Sequence, residues 1–105
     1  MILAWLKAFA FTQIVEIPIY RYGLRCSLLR AFGASAITHP IVWLVATSWH
    51  APWWARAASV ESFALLVEAG YFAVSFGWKR GLAWSAIANA TSFALGLVAY
   101  TIFGV

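Results

Sequence analysis

Charge is scarce in this chain. Asp, Glu, Lys and Arg make up 10% of its 105 residues, where soluble domains carry about 25%. With 65% hydrophobic residues, it has too little polar surface to face water all round, so an integral membrane protein is expected. Cysteine is nearly missing. Cys26 stands alone, which rules out an intramolecular disulfide and a metal site made of cysteine only. Acids are few, 3 against 7 Lys and Arg. The basic residues form no run and no nucleic-acid motif, so no nucleic-acid partner is expected, and the excess reads as loop charge that orients membrane helices. Strict polar–apolar alternation is missing too, which removes a membrane β-barrel. The opening MILAWLKAFAFTQ lacks the basic start of a secretory signal and is expected to begin the first membrane helix.

What is there is four apolar stretches, at about residues 2–20, 28–48, 55–77 and 82–103. Each matches the roughly 20 residues that a hydrocarbon core about 30 Å thick requires. The expected fold is all-α: one integral domain over residues 1–105, a four-transmembrane-helix bundle in the lipid bilayer of a bacterial inner membrane. Arg21-Tyr22-Gly23-Leu24-Arg25, His50-Ala51-Pro52 and Trp78-Lys79-Arg80-Gly81 supply the turns. The first and third turns carry Arg21, Arg25, Arg30, Lys79 and Arg80, and the other side only Lys7 and Arg56. The positive-inside rule then puts those two turns in the cytoplasm and both termini outside.

The two halves echo each other. Glu16-Ile-Pro-Ile-Tyr20 aligns with Glu68-Ala-Gly-Tyr71-Phe72, and, with a one-residue slip, Thr38-His39-Pro40 aligns with Thr91-Ser92-Phe93. Each half would be an acid-bearing helix, a basic turn and a polar-bearing helix. Two such hairpins insert in the same direction, giving a parallel repeat.

Every stretch also carries one polar stripe at helical spacing: Thr12, Gln13, Glu16 and Tyr20; Ser35, Thr38 and His39; Glu61, Glu68 and Ser75; Ser85, Asn89 and Ser92. Lipid offers no hydrogen bonds, so the stripes must face inward or toward a partner. A charged acid at the bilayer centre costs at least about 2.5–3.5 kcal/mol, which marks it as a functional candidate. The expected cluster is Glu16, His39, Glu68 and Asn89, with His39, Glu68 and Asn89 at mid-depth and Glu16 nearer the cytoplasm. Glu61, Ser35, Thr38, Ser92 and Tyr20 are secondary members. His39, Glu68 and Glu16 are also the donors a metal would find here, although the chain has neither HExxH nor HxxEH spacing. No cofactor is indicated. Pro18 and Pro40 each neighbour a polar residue of interest, and each would free a backbone carbonyl one turn back.

Glu16-x-Pro18, Thr38-His39-Pro40-x-x-Trp43, Glu61 with Glu68-Ala69, and Asn89-x-x-Ser92 together resemble small, uncharacterised four-helix bacterial membrane proteins. The resemblance covers nearly the whole chain and implies no activity. Size and helix count are also similar to the small multidrug-resistance transporters, but the surroundings of Glu16 do not match that family's motifs, so the likeness is one of architecture alone. The polar stripes rank the functions. Proton- or cation-linked transport or ion translocation by a homo-oligomer comes first. A non-catalytic subunit among other membrane subunits comes second, and an intramembrane metal-site enzyme last.

Overall fold

A long apolar run without alternation can satisfy its backbone in lipid only by i→i−4 bonding, which makes it a helix. The structure, a computed structural model, describes residues 2–103 and is all-helical over them: α1 Ile2–Leu24, α2 Leu28–Ser48, α3 Trp53–Phe76 and α4 Trp78–Phe103. Three helices, Leu28–Ser48, Trp53–Phe76 and Trp78–Ile102, are long and apolar enough to cross a membrane. α1 carries three charges, Lys7, Glu16 and Arg21, within its 23 residues, as α3 does with Arg56, Glu61 and Glu68. The bundle measures 36 × 24 × 22 Å. Its long dimension matches a 23-residue helix at 1.5 Å per residue, about 35 Å.

The helices form a ring in chain order. α1 packs against α2 and α4, and α3 packs against the same two, so α1 and α3 face each other across the centre. What lies inside is small or polar: Ala31, Ala34, Ser35, Ala64, Ala69, Ser85 and Ala88 are buried, with both central acids. What lies outside is large and apolar; Ile14, Leu29 and Val74 are 73%, 79% and 89% exposed. This inverts the arrangement of a soluble protein and fits lipid, where close approach of small residues drives helix association.

Two turns differ from expectation. Arg21–Leu24 belongs to the last turn of α1, and the chain reverses over Arg25, Cys26 and Ser27. Arg25 takes the left-handed conformation (φ 54). Ser27 then caps α2, its hydroxyl accepting from the Arg30 N–H at 3.1 Å. At the matching corner Gly77 alone, at φ 86, makes the reversal, and Lys79, Arg80 and Gly81 lie inside α4. Gly81 is a packing glycine. A Cβ there would stand 2.7 Å from the Ala69 carbonyl oxygen and 3.2 Å from the Ala73 nitrogen, both backbone atoms of α3. α3 starts two residues before the expected 55, directly after Pro52, whose carbonyl accepts from the Ala55 and Arg56 N–H groups at 3.0 and 3.1 Å. Pro18 and Pro40 sit on exposed positions of α1 and α2. The carbonyl each frees lies one turn back on that outer side, away from the bundle centre.

Arginines clamp the helix ends. Arg30 of α2 donates to the Ser75 hydroxyl at 2.6 Å and the Tyr71 carbonyl at 3.1 Å, near the end of α3, and its guanidinium lies over the Tyr71 ring at 5.1 Å. Arg80 of α4 reaches the Gly23 carbonyl at the end of α1, at 3.3 Å. Arg56 of α3 reaches the Ala46 carbonyl near the end of α2, at 2.7 Å. Cations at C-terminal carbonyls complement the helix dipole. Beside the first turn, burial pushes the Cys26 thiol up from its ordinary value, against the lowering effect of its own backbone hydrogen bond, Arg30 and Arg21, which leaves it an unreactive thiol.

Two glycines separate packing from mere composition. Gly81→Ala forces α3 and α4 apart and is expected to destabilise by about 1–3 kcal/mol. Gly96→Ala meets only ordinary contact with Phe11, at 3.9 Å, and is expected to be neutral. Thermal unfolding in mild detergent checks the pair; equal midpoints for the two variants would contradict the packing role of Gly81.

Candidate intramembrane carboxylate site

Glu68 stands mid-way along α3, on a face otherwise lined by Ala64, Ala69 and Phe72. Small neighbours let polar groups of the other helices reach in, and each of those helices sends one. Tyr20 of α1 donates its hydroxyl to Oε1. Thr38 of α2 donates to Oε2 at 2.8 Å. The Asn89 amide of α4 donates to Oε1 at 3.3 Å. Glu16, on the inner face of α1, accepts from Ser35 of α2 at Oε1 and Ser92 of α4 at Oε2, both at 2.7 Å. Both acids are almost completely buried. α2 and α4 each donate to both acids, α2 through Ser35 and Thr38 and α4 through Ser92 and Asn89, so the two carboxyls belong to one buried cluster.

A second layer holds the donors. The Asn89 amide also donates to the Ser85 carbonyl at 2.9 Å, and the Ser85 hydroxyl donates to the Leu65 carbonyl at 2.7 Å. The Gln13 amide donates to the Phe32 carbonyl at 3.2 Å. Every side-chain donor to either carboxyl is neutral; among the described residues none is Lys, Arg or His.

The donors follow an exchange pattern. Glu16 and Glu68 are 52 residues apart, whereas Ser35 and Asn89, and likewise Thr38 and Ser92, are 54 apart. Each acid takes one donor from its own hairpin, Ser35 for Glu16 and Asn89 for Glu68. Each takes the matching second donor from the opposite hairpin, Ser92 for Glu16 and Thr38 for Glu68, and Tyr20 adds a third to Glu68. The hydrogen-bonding register of α2 to α4 is therefore 54, one more than the sequence alignment of Thr38 with Thr91. Arg25 and Gly77, the two positive-φ residues, are again 52 apart. So are Tyr20 and Phe72, which meet at the centre with ring centroids 4.5 Å apart. That pair breaks the match: Phe72 has no hydroxyl, so Glu68 has three donors and Glu16 two.

The expected residues thus divide. Glu16, Glu68, Asn89, Ser35, Thr38, Ser92 and Tyr20 converge. His39 is buried but stands apart, between the rings of Phe9 (5.3 Å) and Trp5 (5.9 Å), and its Nδ1 has no partner. Among the described residues no three His, Cys, Asp or Glu side chains are placed to hold a metal ion. Glu61 is half-buried on the same stripe as Glu68, two turns nearer the start of α3. It borders a groove of about 250 Å³ between α3 and α4 whose inner wall includes Asn89. Arg30 and Arg80 read in the sequence as orienting charges only. The one hint of their clamping role is the Tyr71 and Ser75 pair, one turn apart at the end of α3.

No family model, curated protein or solved structure matches this chain.

Tyr20→Phe removes one donor from Glu68. In a double-mutant cycle with Glu68→Met, which removes the acceptor, a coupling of about 0.6–1.7 kcal/mol is expected, from the mean to the largest value for hydrogen bonds between membrane helices. Unfolding of the four proteins in detergent measures it, and zero coupling would mean that the contact carries no stability.

Proposed function

We propose that this chain is a four-span membrane protein that binds a proton or small cation at the Glu16–Glu68 pair and passes it across a bacterial inner membrane, working as a homo-oligomer. The observation that carries this reading is two buried acids in one cluster, tied only to neutral donors. Burying one such charge is costly, and two in one apolar cluster resist ionising together without a counter-ion. A shared proton or a bound cation resolves the conflict, as in other carboxyl pairs. Purely structural polar contacts between membrane helices need no acid; serine, threonine and asparagine suffice.

In this reading α1 is the fourth span, because its inner face supplies Glu16 and Tyr20 to partners on the three apolar helices. The exchanged donors and the matched reversals at Arg25 and Gly77 support two parallel hairpins related by an axis along the membrane normal, with the acid pair beside it. Arg21, Arg25, Arg30, Lys79 and Arg80 lie toward the end that holds the first and third turns, which the positive-inside rule assigns to the cytoplasm. Four helices make a thin wall, so copies would complete the pathway.

Purified protein in proteoliposomes tests the reading. An imposed ion gradient should collapse in the presence of wild-type protein, and Glu68→Gln should slow this at least about tenfold while the unfolding midpoint stays close to wild type. A tenfold loss corresponds to about 1.4 kcal/mol in the barrier. Flux equal in wild type and Glu68→Gln would overturn it. Absence of flux, together with native co-purification of another membrane subunit at fixed ratio, would favour an accessory-subunit role instead.

A further inference from the structure

We propose that the α3–α4 groove is a binding site for a small organic cation carrying one aromatic ring, reached from the side of the bundle. The groove is lined by Glu61, Leu65, Ala86, Asn89 and Phe93, among others. Its meaning comes from comparison with the equivalent place in the first hairpin. At the offsets of 52 and 54 set by the central hydrogen bonds, Phe9 corresponds to Glu61, Phe32 to Ala86, and Trp5 to Ala57.

In the first hairpin that space is packed with rings. Phe9 stands edge-on to Phe32 at 5.7 Å and to His39 at 5.3 Å, and stacks on Trp5 at 5.2 Å. In the second hairpin two of those rings are alanines and a third is an acid, and the space is open. The vacancy therefore has the dimensions of side-chain rings. Phe93, the counterpart of His39, remains to form one wall.

The acid at the groove fixes the charge of the occupant. Glu61 is half-buried, and no side-chain hydrogen bond reaches it among the described residues. Arg56, the nearest basic residue along α3, turns one amino group to the Ala46 carbonyl while its Nε has no partner, so no side-chain hydrogen bond ties it to Glu61 among the described residues. A lipid acyl chain could fill the apolar slot but would leave this acid without a partner, which is costly. A cationic head beside Glu61 with its ring in the Ala86 slot satisfies both, and Phe93 offers a ring face to the same charge. Asn89, on the inner wall, donates to Glu68, so an occupant there touches the residue that ties this groove to the central acids. That such a cation is the transported cargo rests on the translocation reading above; occupancy of the groove does not.

Equilibrium dialysis of the full chain in mild detergent, with radiolabelled benzyltrimethylammonium as the probe, separates the two. Saturable binding to wild type is expected. Glu61→Gln should weaken it about tenfold, the effect of losing a contact of about 1.4 kcal/mol. Ala86→Phe, which places in α4 the ring that α2 already carries, should abolish it. Binding is read at equilibrium in detergent, with no gradient, and flux separately in proteoliposomes, so failure of translocation and failure of the groove are read apart. Circular dichroism and the unfolding midpoint confirm that each variant is folded; if Ala86→Phe is not, Glu61→Gln decides. Absence of saturable binding to wild type overturns the proposal. So does unchanged affinity in Glu61→Gln, or displacement by benzyl alcohol as effective as by the unlabelled cation, which would mean apolar filling alone.

Discussion

Glu68 accepting one hydrogen bond from each of the other three helices is the interaction on which the bundle turns. A carboxyl in the apolar centre of a helix bundle is tolerable only with its oxygens satisfied. The donors of Tyr20, Thr38 and Asn89 can reach it only if α1, α2 and α4 surround α3 at one depth. That demand fixes both the rotation of each helix and its vertical position. The small residues on the inner faces, Ala31, Ala34, Ala69 and Ala88, are the other half of the same constraint: they let the helices come close enough for short side chains to span the gap. Gly81 against the backbone of α3 extends that closeness to the end of the bundle.

The neutral character of the donors matters as much as their number. Ser35 and Ser92 at Glu16, and Thr38 and Tyr20 at Glu68, are hydroxyls, which can donate or accept. A protonated carboxyl and an ionised one can therefore both be accommodated by rotating O–H groups, without moving a helix. An arginine in their place would fix the acid as its permanent anion partner. The arginines of this chain are kept at helix ends instead, on carbonyls of α1, α2 and α3.

Much of this was legible in the sequence. The four apolar stretches follow from composition and length, and the polar stripe on each follows from helical spacing. Thr38, Glu68, Asn89 and Ser92 lie on faces that only an interior could satisfy, and they do converge. His39 illustrates the limit. Thr38 and His39 are adjacent, and adjacent residues on a helix point about 100° apart, so only one of them could meet Glu68. The hydroxyl took that position and the imidazole went to the rings of Phe9 and Trp5. Nothing in residue type alone chooses between them. The same applies to Gly77 and Gly81: both are glycines near a basic turn, and only the approach of α4 to α3 decides which makes the reversal and which makes room. The groove was invisible for a different reason, since an open space is defined by what the side chains around it leave unfilled.

The division of donors between hairpins also bears on how the protein is made. Each acid stands on the first helix of a helical pair and meets one donor on the helix that follows, Ser35 for Glu16 and Asn89 for Glu68. Either pair alone thus gives its acid only part of its cover, one donor of two for Glu16 and one of three for Glu68. The remaining partners, Ser92 for Glu16 and Thr38 with Tyr20 for Glu68, arrive only when the two hairpins dock. Until then each hairpin displays an incompletely satisfied carboxyl, which is costly in apolar surroundings. Correct pairing of the halves is what conceals it, so the same contacts that build the site also certify that the chain has finished folding.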